Sequence, residues 1–199
     1  VVLLVAILLA LVAGYLTGGS LAQVHHVRFR ALPLFVGAAF VQVLIFTPLL
    51  GTRELIHDYG PLIYIGTVLA SLVAILLNLG VPGMKIMAAG AALNALVIIA
   101  NGGYMPSTEE ALDRAGKLET VERAEARDPG DGWVLTNSTI ADDDTRLLFL
   151  GDVIAIPEGV PLANVISIGD VLLALGAAVA VLRVMHLPAA APARRGEER

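Results

Sequence analysis

The sequence predicts an all-α membrane protein. The expected architecture is a five-transmembrane-helix bundle, N-out and C-in, with an outer polar insertion and an interfacial or re-entrant loop before the last helix. Three observations predict it. Hydrophobic residues make up 57% of the 199 residues and mean hydropathy is +0.80, more than the water-facing surface of a soluble chain of this length accommodates. Apolar runs recur near the ~20 residues that a hydrocarbon core of ~30 Å demands of a helix. Finally, the net charge of −5 is unevenly spread, with short basic clusters and one long acidic segment, and such asymmetry orients spans.

Residues 1–106 are expected to hold transmembrane helices 1–4. Val1–Gly18 is the first span, and with no basic residue before it and no small-residue cleavage pattern after it, it is expected to be retained. The cluster His25, His26, Arg28 and Arg30 follows it, so the positive-inside rule places that loop in the cytoplasm. Gly14 and Gly18 form a GxxxG spacing, read here as internal packing before dimerisation. Pro33–Leu50 is the second span, with Gln42 near its middle, and Gly51–Gly60 is expected to be an outer mixed-charge turn. Pro61–Leu79 and Met84–Ala100 are the third and fourth, joined by Gly80-Val81-Pro82-Gly83 beside Lys85. An amide in hydrocarbon needs a partner, so Gln42, Asn78 and Asn94 should face other helices. Asn101-Gly102-Gly103 suits a helix C-terminus, and Tyr104-Met105-Pro106 ends the helix at the outer interface.

Residues 107–146 form the acidic extracytoplasmic segment. Up to Asp144 eleven acids face four bases, a net of −7. Ser107 with Glu110 reads as a capping box opening a helix to about Arg127, with Leu112, Ala115, Leu118 and Val121 as an apolar stripe too thin for an independent core. Pro129–Gly132 reads as a turn, Trp133 as an interfacial ring, and Asp142-Asp143-Asp144 as a solvated turn, because it lacks the glycine and distal glutamate of a calcium loop. Residues 147–161 are too short and too broken by Gly and Pro to span, so an interfacial, strand-like loop is expected. Residues 162–187 are the fifth transmembrane helix, and 188–199 a disordered cytoplasmic tail rich in Pro, Ala and Arg.

Three passages, LNALVIIANGGYMP (Leu93–Pro106), LLFLGDVIAIP (Leu147–Pro157) and NVISIGD (Asn164–Asp170), resemble an uncharacterised bacterial family of small multi-pass membrane proteins. The resemblance covers nearly the whole chain, is weakest in the polar segment, and implies a fold and location but no activity. A fainter likeness to lipoprotein signal peptidases rests on an outer carboxylate, an interfacial stretch and a second aspartate at a terminal helix. The chain departs from that pattern. It has no Asn-x-x-Asp-Arg signature before the interfacial stretch, and it adds a fifth helix and a long insertion.

The candidate site is the polar cluster Asn101, Asp152, Asn164, Ser167 and Asp170. Two carboxylates sharing a proton near the membrane face would suit aspartic hydrolysis. Under the bland reading, Asp170 meets the positive end of a helix dipole and Asp152 accepts backbone N–H groups after Gly151. No cysteine is present, the histidines His25, His26, His57 and His186 lack ligand spacing, and no phosphate-cradling glycine loop occurs. No metal or cofactor is therefore expected. The expected partners are membrane lipids and another membrane or extracytoplasmic protein, with no nucleic acid. The expectation is a multi-pass plasma-membrane scaffold or accessory subunit, most simply without enzymatic activity. The alternative is an intramembrane aspartic hydrolase with Asp152 and Asp170 catalytic.

Overall fold

The computed structural model describes residues 2–46, 53–126 and 137–188, with no side-chain description for 53–58 or His26. The protein is mostly helical, and two windows, Tyr59–Leu76 and Ile168–Met185, are long and apolar enough to cross a membrane. The apolar helices are α1 (Val2–Leu16), α2 (Leu32–Ile45), α3 (Arg53–Leu76), α4 (Met84–Ala100) and α7 (Ile168–Met185). Between α4 and α7 lie the strands β1 (Met105–Ser107), β2 (Ser138–Ile140), β3 (Ile154–Ile156) and β4 (Asn164–Ile166), with helices α5 (Glu109–Arg114) and α6 (Leu118–Glu125).

The bundle is built on α7, which packs against both α1 and α4, while α3 joins α4 to α2. The α4–α7 seam is close because it is made of glycines. A Cβ at Gly90 would collide with the Gly169 carbonyl, and one at Gly176 would collide with Met87. Small residues let backbones approach where lipid supplies no hydrophobic drive between helices. Gly14 likewise accommodates Met185, so the GxxxG glycine that packs does so internally, against α7. Gln42 finds the expected partner on another helix, while Asn78 bonds the backbone of the loop before α2. Gln42 Nε2 donates to Thr67 Oγ1 at 3.1 Å across α2 and α3. Asn78 accepts the Arg30 N–H and donates to the Arg30 carbonyl, each at 2.7 Å.

The exit of α4 is a Schellman turn, with the Gly103 N–H donating to the Ile98 carbonyl at 2.8 Å. Gly103 has φ +101 and lies against the backbone of Pro61, a position that no β-carbon would tolerate. The chain then enters a small cap. β1 pairs in parallel with β2, and β3 pairs with β4 as an antiparallel ladder in the register Ile154↔Ile166, Ala155↔Val165, Ile156↔Asn164. Ala111, Leu112, Ala115, Val121 and Val165 are buried together, with Leu118, Ile140 and Ala155 packed around them.

Several expectations need correction. Residues 53–60 are not a turn: α3 starts at Arg53 and carries Pro61 inside it. Gly60-Pro61 reads as a boundary because proline lacks an N–H, yet the helix-forming Arg53, Glu54 and Leu55 before it continue the helix. The Ser107–Glu110 capping box does not form. Ser107 is held in β1 and Thr108 is the N-cap, accepting the Ala111 N–H at 3.2 Å. The helix expected to reach Arg127 breaks at Gly116 (φ +63), where the Lys117 N–H returns to the Leu112 carbonyl at 2.8 Å. The break lets the stripe fold around strands, so Leu112, Ala115, Leu118 and Val121 do take part in a core of their own. The last helix begins at Ile168, later than Leu162 or Ala163, because residues 164–166 are paired in β4. The architecture is therefore not wholly α. The end of the second apolar run (Thr47–Leu50), the Pro129–Gly132 turn, Trp133 and the tail from residue 189 lie outside the described residues.

Candidate functional site

The junction between bundle and cap collects polar side chains from several elements. Ser167 is the N-cap of α7 because β4 ends there in extended backbone, and Asp170 is the third helical residue, so the two form a capping box. Ser167 Oγ accepts the Asp170 N–H at 3.0 Å, and Asp170 Oδ2 accepts the Ser167 N–H at 3.3 Å. Asn94, reaching up from α4, closes the ring. Its Nδ2 donates to Asp170 Oδ1 at 2.8 Å while its Oδ1 accepts from Ser167 Oγ at 2.9 Å. Gly169 makes the closure possible, since a Cβ there would strike Asn94 Oδ1. Every polar atom of the ring has a partner, and the Asp170 charge lies at the positive end of α7.

Asp152 sits beside this ring under different terms. A single parallel bridge sets it against Ser107, and its N–H donates to the Pro106 carbonyl at 2.9 Å. It is 6% exposed and Ser107 is fully buried, yet Asp152 Oδ1 and Ser107 Oγ have no hydrogen-bond partner among the described residues. The expectation that Asp152 accepts backbone N–H groups fails at that oxygen. The turn after Gly151 spends its N–H groups on carbonyls, those of Asp152 and Val153 going to Pro106 and Gly151. Burial, and after it the nearby Asp170 carboxylate, pushes the Asp152 carboxyl up to about 8. A carboxyl in such a place holds its proton at neutral pH, because a charge there would be neither solvated nor paired. From α3, Tyr64 comes within reach of the Asn137 side chain and within electrostatic range of both aspartates.

The remaining predicted site residues stand apart. Asn101 staples the exit of α4 to the start of the next segment: its Oδ1 accepts the Arg146 N–H and its Nδ2 donates to the Arg146 carbonyl, both at 2.9 Å. The apolar stretch behind Arg146 then packs Leu147 and Leu150 against Val97, Ile98 and Met105. Residues 147–152 thus return along the α4 exit. Asn164 lies half-buried on β4 opposite Ile156, outside the Asn94–Ser167–Asp170 ring. His186 joins helix ends, its Nδ1 at 2.8 Å from the Leu182 carbonyl and its Nε2 at 3.1 Å from Thr17 Oγ1. Among the described residues no group of three or more His, Cys, Asp or Glu is placed to hold a metal ion.

The expected cluster omitted Asn94, Ser107, Tyr64 and Asn137. Asn94 was legible as an amide needing an interhelical partner. Ser107 was visible only as a helix cap, and an aromatic in an apolar run signals packing alone. Chemically, the junction pairs one fully bonded carboxylate with one buried, proton-holding carboxyl.

Comparison with known proteins adds one finding. No curated protein and no solved structure matches the chain. A family model described as a family of unknown function, DUF5317, matches residues 26–182, a span that includes Tyr64, Asn94, Asn101, Ser107, Asp152, Ser167 and Asp170. The match covers well over half of the sequence, so the chain belongs to the DUF5317 family of unknown function.

Proposed function

We propose that the protein is a multi-pass integral protein of the plasma membrane, N-out and C-in, acting without catalysis as a scaffold or accessory subunit through its acidic outer cap. Membrane immersion is favoured by how little of the apolar helices the protein itself covers. Only 28% of the Tyr59–Leu76 window and 33% of the Ile168–Met185 window are buried, whereas a core helix of a soluble protein is mostly enclosed. Leucines at positions 4, 8, 9, 62, 69, 76, 96 and 175 stand exposed along these helices. At 17 residues α4 is at the lower limit for a span. The shorter α1 and α2 adjoin residues outside the described set.

The observation that carries the scaffold reading is that the cap has its own core. Leu112 is fully buried, so residues 105–126 and 137–166 present a built surface. Among the described residues ten exposed acids, Glu109, Glu110, Asp113, Glu119, Glu122, Glu125, Asp142, Asp143, Asp144 and Glu158, face four exposed bases on that surface. Such a field draws a basic partner segment and repels acidic ones.

The second reading, an intramembrane aspartic hydrolase, is favoured by a buried Asp152 beside Asp170 whose Oδ1 has no partner among the described residues. It is disfavoured because both Asp170 oxygens are engaged in the helix cap and by Asn94.

One set of variants separates the two. A photo-crosslinking residue at Glu122 in intact cells should give a discrete adduct. The adduct should disappear on combined Glu109→Lys, Glu119→Lys and Asp113→Lys substitution and persist in Asp152→Asn. An adduct indifferent to cap charge, with a cellular phenotype lost in a normally folded Asp152→Asn protein, would overturn the scaffold reading. For topology, a cysteine replacing Asp143 should react with an impermeant thiol reagent on intact cells, and one replacing Ala193 should not.

A further inference from the structure

A groove of about 280 Å³ opens among α1, α2, α3, α4 and α7 at the end of the bundle away from the cap. It exists because the helices pack in the order α1–α7–α4–α3–α2, which leaves α1 and α2 at opposite ends of the row without extensive contact. Its walls are apolar, with Leu3 and Ile7 from α1, Phe35 from α2, Ile75 from α3, Met87 from α4 and Ala177 from α7. Small-ligand cavities run from roughly 300 to 1,000 Å³, so this one suits a single hydrocarbon chain. Methionine walls adapt to a flexible guest.

One end of the groove is basic. Arg30 contributes to its lining, and three bonds from Asn78 fix where that arginine stands. Asn78 Oδ1 accepts the Arg30 N–H, and Asn78 Nδ2 donates to the carbonyls of Arg30 and Ala74, all at 2.7 Å. The Arg30 side chain is exposed, and no ion pair engages it among the described residues. Residues 17–32, 77–88 and 182–188, the described residues at this end, contain Arg28, Arg30, Lys85 and Arg183 and no aspartate or glutamate. A buried asparagine that positions a free arginine beside an apolar slot provides both halves of an amphiphile site, a place for a chain and a place for an anion.

We infer that this groove binds one anionic glycerophospholipid, with an acyl chain between α1 and α2 and the phosphate at Arg30. The inference rests on the membrane reading above, and in that orientation the basic end lies in the cytoplasmic leaflet, where anionic lipids concentrate. Arginine suits the role because its planar fork meets phosphate with two parallel hydrogen bonds.

The test is native mass spectrometry of the full chain released from detergent, titrated with phosphatidylglycerol or phosphatidylcholine. The wild type should carry one phosphatidylglycerol adduct in preference to phosphatidylcholine. Arg30→Gln should weaken it about tenfold, the size of one charge-assisted contact, and Arg30→Lys should restore part of the preference. Ala177→Trp, which fills the groove, should remove retention of both lipids, with thermal melting used to confirm that each variant is folded. Equal retention of the two lipids, an unchanged Arg30→Gln, or a lipid-independent dimer blocked by Ala177→Trp would overturn the inference. Carbonate extraction of cell membranes keeps the two readings apart. A protein that resists extraction but shows no lipid preference defeats only the lipid site, and one that is extracted defeats the membrane reading itself.

Discussion

Asp152 and Asp170 each follow a glycine, each sit in an apolar passage, and each lie at the same junction, yet the protein treats them in opposite ways. Asp170 follows an extended strand that ends at Ser167, so its carboxylate bonds the Ser167 N–H and the Asn94 amide at the head of α7. Asp152 follows a tight turn whose own N–H groups are already committed to carbonyls, so its Oδ1 is buried without a donor. The first aspartate is part of the frame. The second is stored as an acid, pushed up to about 8 by burial and by its neighbour. The role of a Gly-Asp pair is thus set by which backbone donors its surroundings leave free, and not by the pair.

The comparison can be broken most forcefully at Asp170. Asp170→Ala should cost about 1–2 kcal/mol for the lost cap and about 1–3 kcal/mol more for the orphaned Asn94 amide. Asp170→Asn should be milder, because an amide oxygen still accepts. Thermal unfolding in detergent reads both, and an Asp170→Ala protein as stable as the wild type would remove the ring from the account. Next in size, Asn101→Ala should destabilise by about 1–3 kcal/mol, because the Arg146 N–H and carbonyl lose their partner together. Faster proteolysis within the cap would accompany it.

Asp152 should behave in the contrary sense. An unfolded chain releases this proton near the ordinary aspartate value of 3.8, whereas the folded protein holds it up to about 8. Folding therefore takes up a proton across that window. The stabilisation is complete below the unfolded value and is lost as pH rises through the folded one. Melting temperature should fall between pH 5 and pH 8 in the wild type, and Asp152→Asn, which cannot ionise, should flatten that slope. Parallel slopes in the two proteins would show that Asp152 is not the group responsible. The smallest effect is expected at the cap, where Thr108→Ala should cost about 1 kcal/mol and leave the junction untouched.

Much of the frame was legible in the chain. Met84–Ala100 was read to the residue, because Gly83 and Asn101-Gly102-Gly103 punctuate an uninterrupted apolar run. Gln42 and Asn94 were expected to find partners across helices and do so, since an amide among leucines has few alternatives, whereas Asn78 bonds the loop residue Arg30 and the Ala74 carbonyl of its own helix. The start of α7 was misread because Leu162, Val165 and Ile166 are as apolar as the helix that follows. Hydropathy alone does not separate a strand from a helix over so short a run. Ser107 was misread for a related reason: Ser107 and Thr108 are both good caps, and the pairing of β1 with a strand some thirty residues away decided between them.

By itself the sequence determined the family, the apolar helices and the acidic character of the segment between the fourth and the last. Each of these follows from local composition and spacing, which a chain carries with it unfolded. Only the tertiary structure decided that the acidic segment closes a core of its own, that Asn94 rather than Asn101 or Asn164 completes the ring around Asp170, and that Asp152 Oδ1 is left without a donor among the described residues. Those outcomes depend on which distant backbone atoms arrive at the same point. A Cβ missing at Gly169 and Gly90 sets that approach as much as any polar side chain does.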